Sequence, residues 1–268
     1  SKGVVALSKN YKLTFEENFK NGSSNWESVE QSQLVKKQEK SKTETIPSFV
    51  NNGEEKLRDD IVVRYAKENV TFEDGKLVLK AVAQKDGFAG ACAKYKGRKF
   101  GKGLLEVKAR FPKNMPGIWP KLSLHLENGI ACAEVEFAQV KGISNKGKNY
   151  LALYAYFIDE FGSHVNEYLH SGFARWPSYY PPIDNDEKLA EGWHTFGYEQ
   201  TDIDGIFYID GLEIMRYDID HPLFAVFDAE GELNITLGIN RPQTEGCDEN
   251  TELPCAMEVE SVRFYEEV

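Results

Sequence analysis

Apolar and polar residues alternate in short runs along most of the chain. Lys76–Ala83 (KLVLKAVA), Gly103–Phe111 (GLLEVKARF), Gly205–Asp210 (GIFYID) and Met257–Tyr265 (MEVESVRFY) show it most clearly. A period of two is that of a strand with one buried face. Asp74-Gly75 in FEDGKLVL and Asp210-Gly211 in FYIDGLEI predict two-residue hairpin turns. No stretch sustains a helical period. Glu27–Asp60 is polar and rich in Lys, Glu, Ser and Asn, and predicts a long irregular excursion. No internal repeat or linker divides the chain. The pattern predicts an all-β, two-sheet antiparallel sandwich as a single domain over residues 1–268.

Composition narrows the partners. At 268 residues the chain is long enough to bury a core that needs no cross-links. The formal net charge of −11 is spread without long single-sign runs. It argues against nucleic acid, whose phosphates need a basic patch, and against an anionic membrane. No apolar run reaches bilayer-spanning length, and the first residues, SKGVVALSKNYKLTFEENF, show no apolar core of a signal peptide. Thirteen tyrosines suit a half-wet binding face. The four cysteines, Cys92, Cys132, Cys247 and Cys255, have no metal-ligand spacing. Two arrangements stay open: Cys247–Cys255 and Cys92–Cys132 disulfides, or four buried thiols.

Six blocks, in order along the chain, carry a resemblance. Gly117–Gly142 reads GIWPKLSLHLENGIACAEVEFAQVKG. Phe15–Phe19 (FEENF) is followed by Trp26, and Glu68–Ala81 reads ENVTFEDGKLVLKA. Phe100–Pro112 (FGKGLLEVKARFP), Gly192–Gly211 (GWHTFGYEQTDIDGIFYIDG) and MEVESVRFY complete the set. Together they resemble glycoside hydrolase family 16, laminarinase or endo-β-1,3-glucanase type. That family carries G-[IL]-W-P, then C-G-E-I-D-I-M-E-Y-V-G. The resemblance implies a concanavalin A-like jelly roll with a concave glycan-binding groove. It also implies an extracellular or cell-surface monomer acting on β-glucan or a related polysaccharide.

The family motif E-x-D-x-x-E maps onto Glu134, Glu136 and Gln139. The resemblance makes the first the nucleophile, the second an electrostatic helper and the third the general acid/base. Residues two apart on a strand share a face, so Glu134 and Glu136 agree, but 139 has the wrong parity. One extra residue, a β-bulge near Ala138, would bring Gln139 to the same face. An amide cannot donate a proton and leave a stable base, and that step is worth roughly 10²–10⁴-fold. Ser123 stands where the family has its second Trp, and Gln200 replaces the Trp of E-W-T.

Trp119, Glu199, Trp176 and Tyr179 are the candidate substrate contacts, the last two in the aromatic, proline-rich segment Phe173–Pro182. Trp26 and Trp193 read as core, and His194 as structural. No cofactor is required. The family's structural calcium would draw on Glu17 or Asn18 with Glu260, a weak set where Asn replaces an acid. Three functions stay open. One is a β-glucan-binding protein on a retaining endo-glucanase scaffold with impaired hydrolysis. Another is an endo-β-1,3(4)-glucanase with an introduced Glu-to-Gln change. The third is a structural sandwich with no sugar site.

Overall fold

The computed structural model describes residues 10–22, 24–36, 49–51, 54–56, 60–113, 117–129, 132–140, 149–151, 155–158, 164–167, 174–176, 192–219, 228–239, 247 and 251–268. Its first strands are β1 (Tyr11–Glu17), β2 (Trp26–Ser28), β3 (Gln31–Lys36), β4 (Phe49–Asn51), β5 (Glu54–Lys56) and β6 (Asp60–Tyr65). Then come β7 (Val70–Glu73), β8 (Lys76–Gln84), β9 (Gly87–Tyr95), β10 (Gly103–Arg110), β11 (Ile118–Glu127) and β12 (Cys132–Gln139). Four short strands follow: β13 (Asn149–Leu151), β14 (Ala155–Ile158), β15 (His164–Glu167) and β16 (Ala174–Trp176). The chain closes with β17 (Trp193–Gln200), β18 (Asp204–Ile209), β19 (Leu212–Asp218), β20 (Gly231–Ile239) and β21 (Cys255–Glu267).

The strands run β12-β11-β20-β9-β8-β21-β10-β17-β18-β19 in one sheet that curls over itself. The half led by β12, β11 and β20 forms one layer, and the half led by β21, β10 and β17 the other. Leu122, Leu124, Val135, Phe137 and Leu237 face Val107, Phe196, Tyr198, Val259 and Phe264 in one core. Phe137 stacks on Tyr198 across the layers at 6.4 Å. Full burial of such a side chain contributes on the order of 1.5–3 kcal/mol. This is the all-β antiparallel sandwich that the alternation predicts. Both hairpins form, with positive φ at Asp74, Gly75, Asp210 and Gly211. That backbone geometry is what a two-residue turn between twisted strands demands.

Four expectations need correction. The Glu27–Asp60 excursion holds β3, β4 and β5 and the start of β6. Its polar composition shows no period of two, and that hid these strands. The β6–β9 pair is parallel, within an otherwise antiparallel sheet. Trp193 is half-buried on the outer face of the second layer rather than in the core. Last, Cys92 and Cys132 are free thiols, with β20 and β11 lying between their strands, too far apart to bridge. Cys255 is a free thiol beside the buried Cys247, and burial first, then that neighbour, push its pKa up to about 12.

Candidate functional site

The pairing of β11 with β12 sets the site. Lys121 opposes Gln139 and Leu122 opposes Ala138, but Ser123 opposes Glu136, so Phe137 is an extra residue. The odd 136-to-139 spacing predicts this bulge. Directly opposed residues share a face of the sheet. Lys121, Ser123 and His125 alternate on β11, so Glu134, Glu136 and Gln139 lie together on the face away from the core. Thr236 and Asn234 of β20 and Cys92 of β9 continue that face through their register.

At its centre sits Lys121. Its Nζ lies 2.6 Å from Glu134 Oε1 and 3.5 Å from Glu136 Oε1. Burial disfavours the ammonium, but the two carboxylates outweigh it and raise its pKa. Glu136 is only 5% exposed. Burial drives its pKa to about 8, with Glu134 adding to the rise and Lys121 opposing it. Glu136 is thus a weak acid set beside the Lys121 ammonium. Tyr65, at the end of β6, joins them, its phenol pushed up to about 12 chiefly by burial.

Trp119 lies on the same face, its ring 5.6 Å from Lys121 Nζ. It rests on the backbone of its cross-strand partner Gly238, where a Cβ would come within 2.2 Å of two ring carbons. Only glycine leaves room for the indole to lie flat there. Besides Trp119 Nε1, the buried Ser123 Oγ and Glu136 Oε2 on this face have no hydrogen-bond partner among the described residues. The latter two belong to directly opposed residues. Buried groups of this kind are costly unless something satisfies them.

Glu199 is not brought to this face. It opposes Leu104 and Ile206, away from the core, on the far side of the sandwich. There it accepts hydrogen bonds from Tyr11 Oη (2.5 Å) and Tyr208 Oη (2.7 Å). Trp176 closes β16 opposite Asn149, but its side chain, like all of Tyr179, lies outside the described residues.

No protein-family profile matches the chain, and no curated protein matches its sequence. Solved structures do match. The laminarinase catalytic domain from Thermotoga maritima MSB8 is 19% identical over 97% of this chain and 100% of its own, with a TM-score of 0.63. A laminarinase from Flavobacterium sp. UMI-01 is 18% identical over 95% and 100%, with a TM-score of 0.63. A family 16 endo-glucanase from Bacteroides ovatus, solved with G4G3G-2F-DNP, is 16% identical over 93% and 99%, with a TM-score of 0.64. The fold is that of the family 16 glycoside hydrolases.

On this family 16 scaffold the central strand keeps three polar side chains on one face, and Lys121 adds a fourth. Sequence reasoning assigns no role to Lys121 or Tyr65. The signal for Lys121 is its parity: it alternates with Trp119, Ser123 and His125, while the intervening Pro120, Leu122, Leu124 and Leu126 are apolar. Tyr65 has no such signal, because the run Ile61-Val62-Val63 before it shows no period of two. Two residues that the resemblance implies for calcium have partners within the protein. Glu17 Oε1 accepts the Phe19 amide (2.9 Å), and Glu260 is ion-paired with Lys108 (2.8 Å). Among the described residues no three His, Cys, Asp or Glu side chains converge as metal ligands.

Proposed function

We propose that this chain binds β-glucan-like polysaccharide on the Glu134 face and hydrolyses it poorly. The observation that carries this is the Lys121 ammonium 2.6 Å from Glu134, on the same face as Gln139. A retaining hydrolase needs a free carboxylate to attack the anomeric carbon and a second carboxyl to protonate the leaving oxygen. Glu134 would spend its charge in that attack. The attraction of Lys121, about 4 kcal/mol for charges ~4 Å apart at an effective dielectric of about 20, would be lost on the way. Interactions stronger in the ground state than in the transition state slow the step, here by about 10³-fold. Gln139 offers no proton. What the face retains is suited to binding: the half-buried indole of Trp119 against Gly238, and the half-buried Glu134 and Gln139, which can meet sugar hydroxyls.

One observation supports a catalytic reading. Glu136 holds its proton to about pH 8 and is an acid on the same face. The test is binding of laminarin and mixed-linkage glucan by affinity electrophoresis, alongside reducing-end release. The expected result is retention by both glucans without turnover. Gln139→Glu alone should leave hydrolysis slight, while Lys121→Ala with Gln139→Glu should raise it by orders of magnitude. Vigorous cleavage by the unmodified chain, abolished by Glu136→Gln, would overturn the binding reading in favour of Glu136 as proton donor. Full recovery with Gln139→Glu alone would identify an ordinary hydrolase carrying one introduced change.

A further inference from the structure

The other side of the sandwich holds a cavity of about 900 Å³ that the Glu134 face does not reach. Its floor is the outer face of β10, β17 and β21. Alternation on β10 sends Leu105 and Val107 to the core, leaving Glu106 and Lys108 outside. The two Asp-Gly hairpin tips, Asp74-Gly75 and Asp210-Gly211, are part of its lining. Asp210 is held in place by its own contacts: Oδ2 meets His194 Nδ1 at 2.7 Å and Oδ1 accepts the Thr195 amide at 2.8 Å.

Among the residues lining this cavity, Glu106 is the buried acid. Glu106 is 8% exposed and accepts no hydrogen bond from a described residue. Burial raises its pKa, and the charge of Arg263 across the strand pair only partly offsets that. Arg263 itself is turned to Glu16, with Nε 2.7 Å from Oε2. Lys108 is likewise committed to Glu260 at 2.8 Å. The neighbouring β10–β17 positions are Gly197, which brings no side chain of its own, then Thr195 and Trp193. Trp193 lines the far end and holds the Arg110 guanidinium 5.2 Å from its ring.

Charge excludes two ligand classes. An anion would meet the desolvated Glu106 carboxylate with the nearest cations already paired. A metal ion would need converging carboxylates, and none converge among the described residues, while Lys20, Lys76, Lys108 and Arg263 ring the cavity. What remains is a neutral molecule rich in hydroxyl donors with one apolar face. From Trp193 to the Glu106 position is four residues along paired strands, or about 13 Å at ~3.3 Å each, long enough for two sugar rings.

We infer that this outer cavity binds the end of a neutral oligosaccharide, one ring against Trp193 and a vicinal diol donating two hydrogen bonds to Glu106. The site is independent of Glu134 and gives the sandwich a second point of attachment to a polysaccharide. Backbone amide NMR of the whole chain, titrated with laminaritetraose and with cellotetraose, tests it. Gly75, Thr195, Gly197 and Gly211 should shift and saturate with one of these probes. Glu106→Leu and Trp193→Ala should each weaken that response at least tenfold, and Glu106→Gln should weaken it less. The Asn234 and Thr236 amides, on the Glu134 face, should respond unchanged in all three variants. Glu106→Leu should also resist urea at least as well as the parent, because it removes an unpartnered buried carboxylate. Silence at Gly197 with both probes overturns the inference whatever the Glu134 face does, as does an unaltered response in Glu106→Leu. Movement at Gly197 with silence at Asn234 and Thr236 would refute the Glu134-face reading alone.

Discussion

Changing Glu136 to Gln keeps the size of the side chain and removes its ionisation. In the unfolded chain this carboxyl ionises near the ordinary 4.5, and in the folded chain near 8. Between those values the folded protein holds a proton that the unfolded chain has released. Unfolding then releases a proton, so stability falls as pH rises through the window and levels off above about 8. At about 1.4 kcal/mol per pH unit the whole window is worth up to about 5 kcal/mol. Urea unfolding of the parent and of Glu136→Gln, from pH 4.5 to 9, reads it out. The two should be closest at the acid end, with the variant gaining steadily until about pH 8. Lys121→Met should move the upper end of the window to more alkaline pH, because Lys121 is what lowers the Glu136 pKa. A stability difference that stays constant with pH would refute both the burial argument and the assignment of the proton to Glu136.

Two further outcomes separate the faces of the sandwich. Tyr208→Phe removes a hydrogen bond to the fully buried Glu199 carboxylate, and should cost about 1.5–3 kcal/mol in urea unfolding. The response of the Asn234 and Thr236 amides to laminaritetraose should not change, because Glu199 lies on the side opposite Glu134. Gly238→Ala places a methyl within 2.2 Å of Trp119 and should cost about 1–3 kcal/mol through overpacking. It should also lower laminarin affinity at least tenfold and alter the near-ultraviolet circular dichroism of the indole. Unchanged affinity would take Trp119 out of the binding face.

The fold was legible because its strands announce themselves. Lys76–Gln84 and Gly103–Arg110 alternate cleanly, and the Asp-Gly pairs can only be turns of one kind. The bulge at Phe137 was legible for a different reason: a strand cannot present positions 134, 136 and 139 together without one extra residue. Glu199 was misplaced because residues 198, 199 and 200 all read as strand, and motif position alone does not say which side of the sheet is outside. Tyr198 goes to the core and Glu199 therefore to the far surface. Lys121 went unassigned because its role depends on two carboxylates that come from another strand. Trp193 reads as core because it sits at the start of a strand, and the half-exposed site it occupies is lined by a turn 17 residues away in sequence, at Asp210.

Both faces keep an acid where an apolar residue would serve the fold better. Glu136 has an oxygen without a partner, and Glu106 accepts no hydrogen bond from a described residue. A carboxyl in that state lowers stability, and drift toward apolar replacement would raise it. The cost is not explained by packing, since a buried carboxyl gains nothing over an apolar side chain of similar size. It is not explained by ion pairing either, since Lys121 holds Glu134 more closely and Arg263 holds Glu16. A ligand that brings hydroxyl donors satisfies both sites with the same chemistry. Under the proposed function the two acids, on opposite sides of one sandwich, would help hold a polyhydroxylated chain, and Lys121 and Gln139 would leave it uncut.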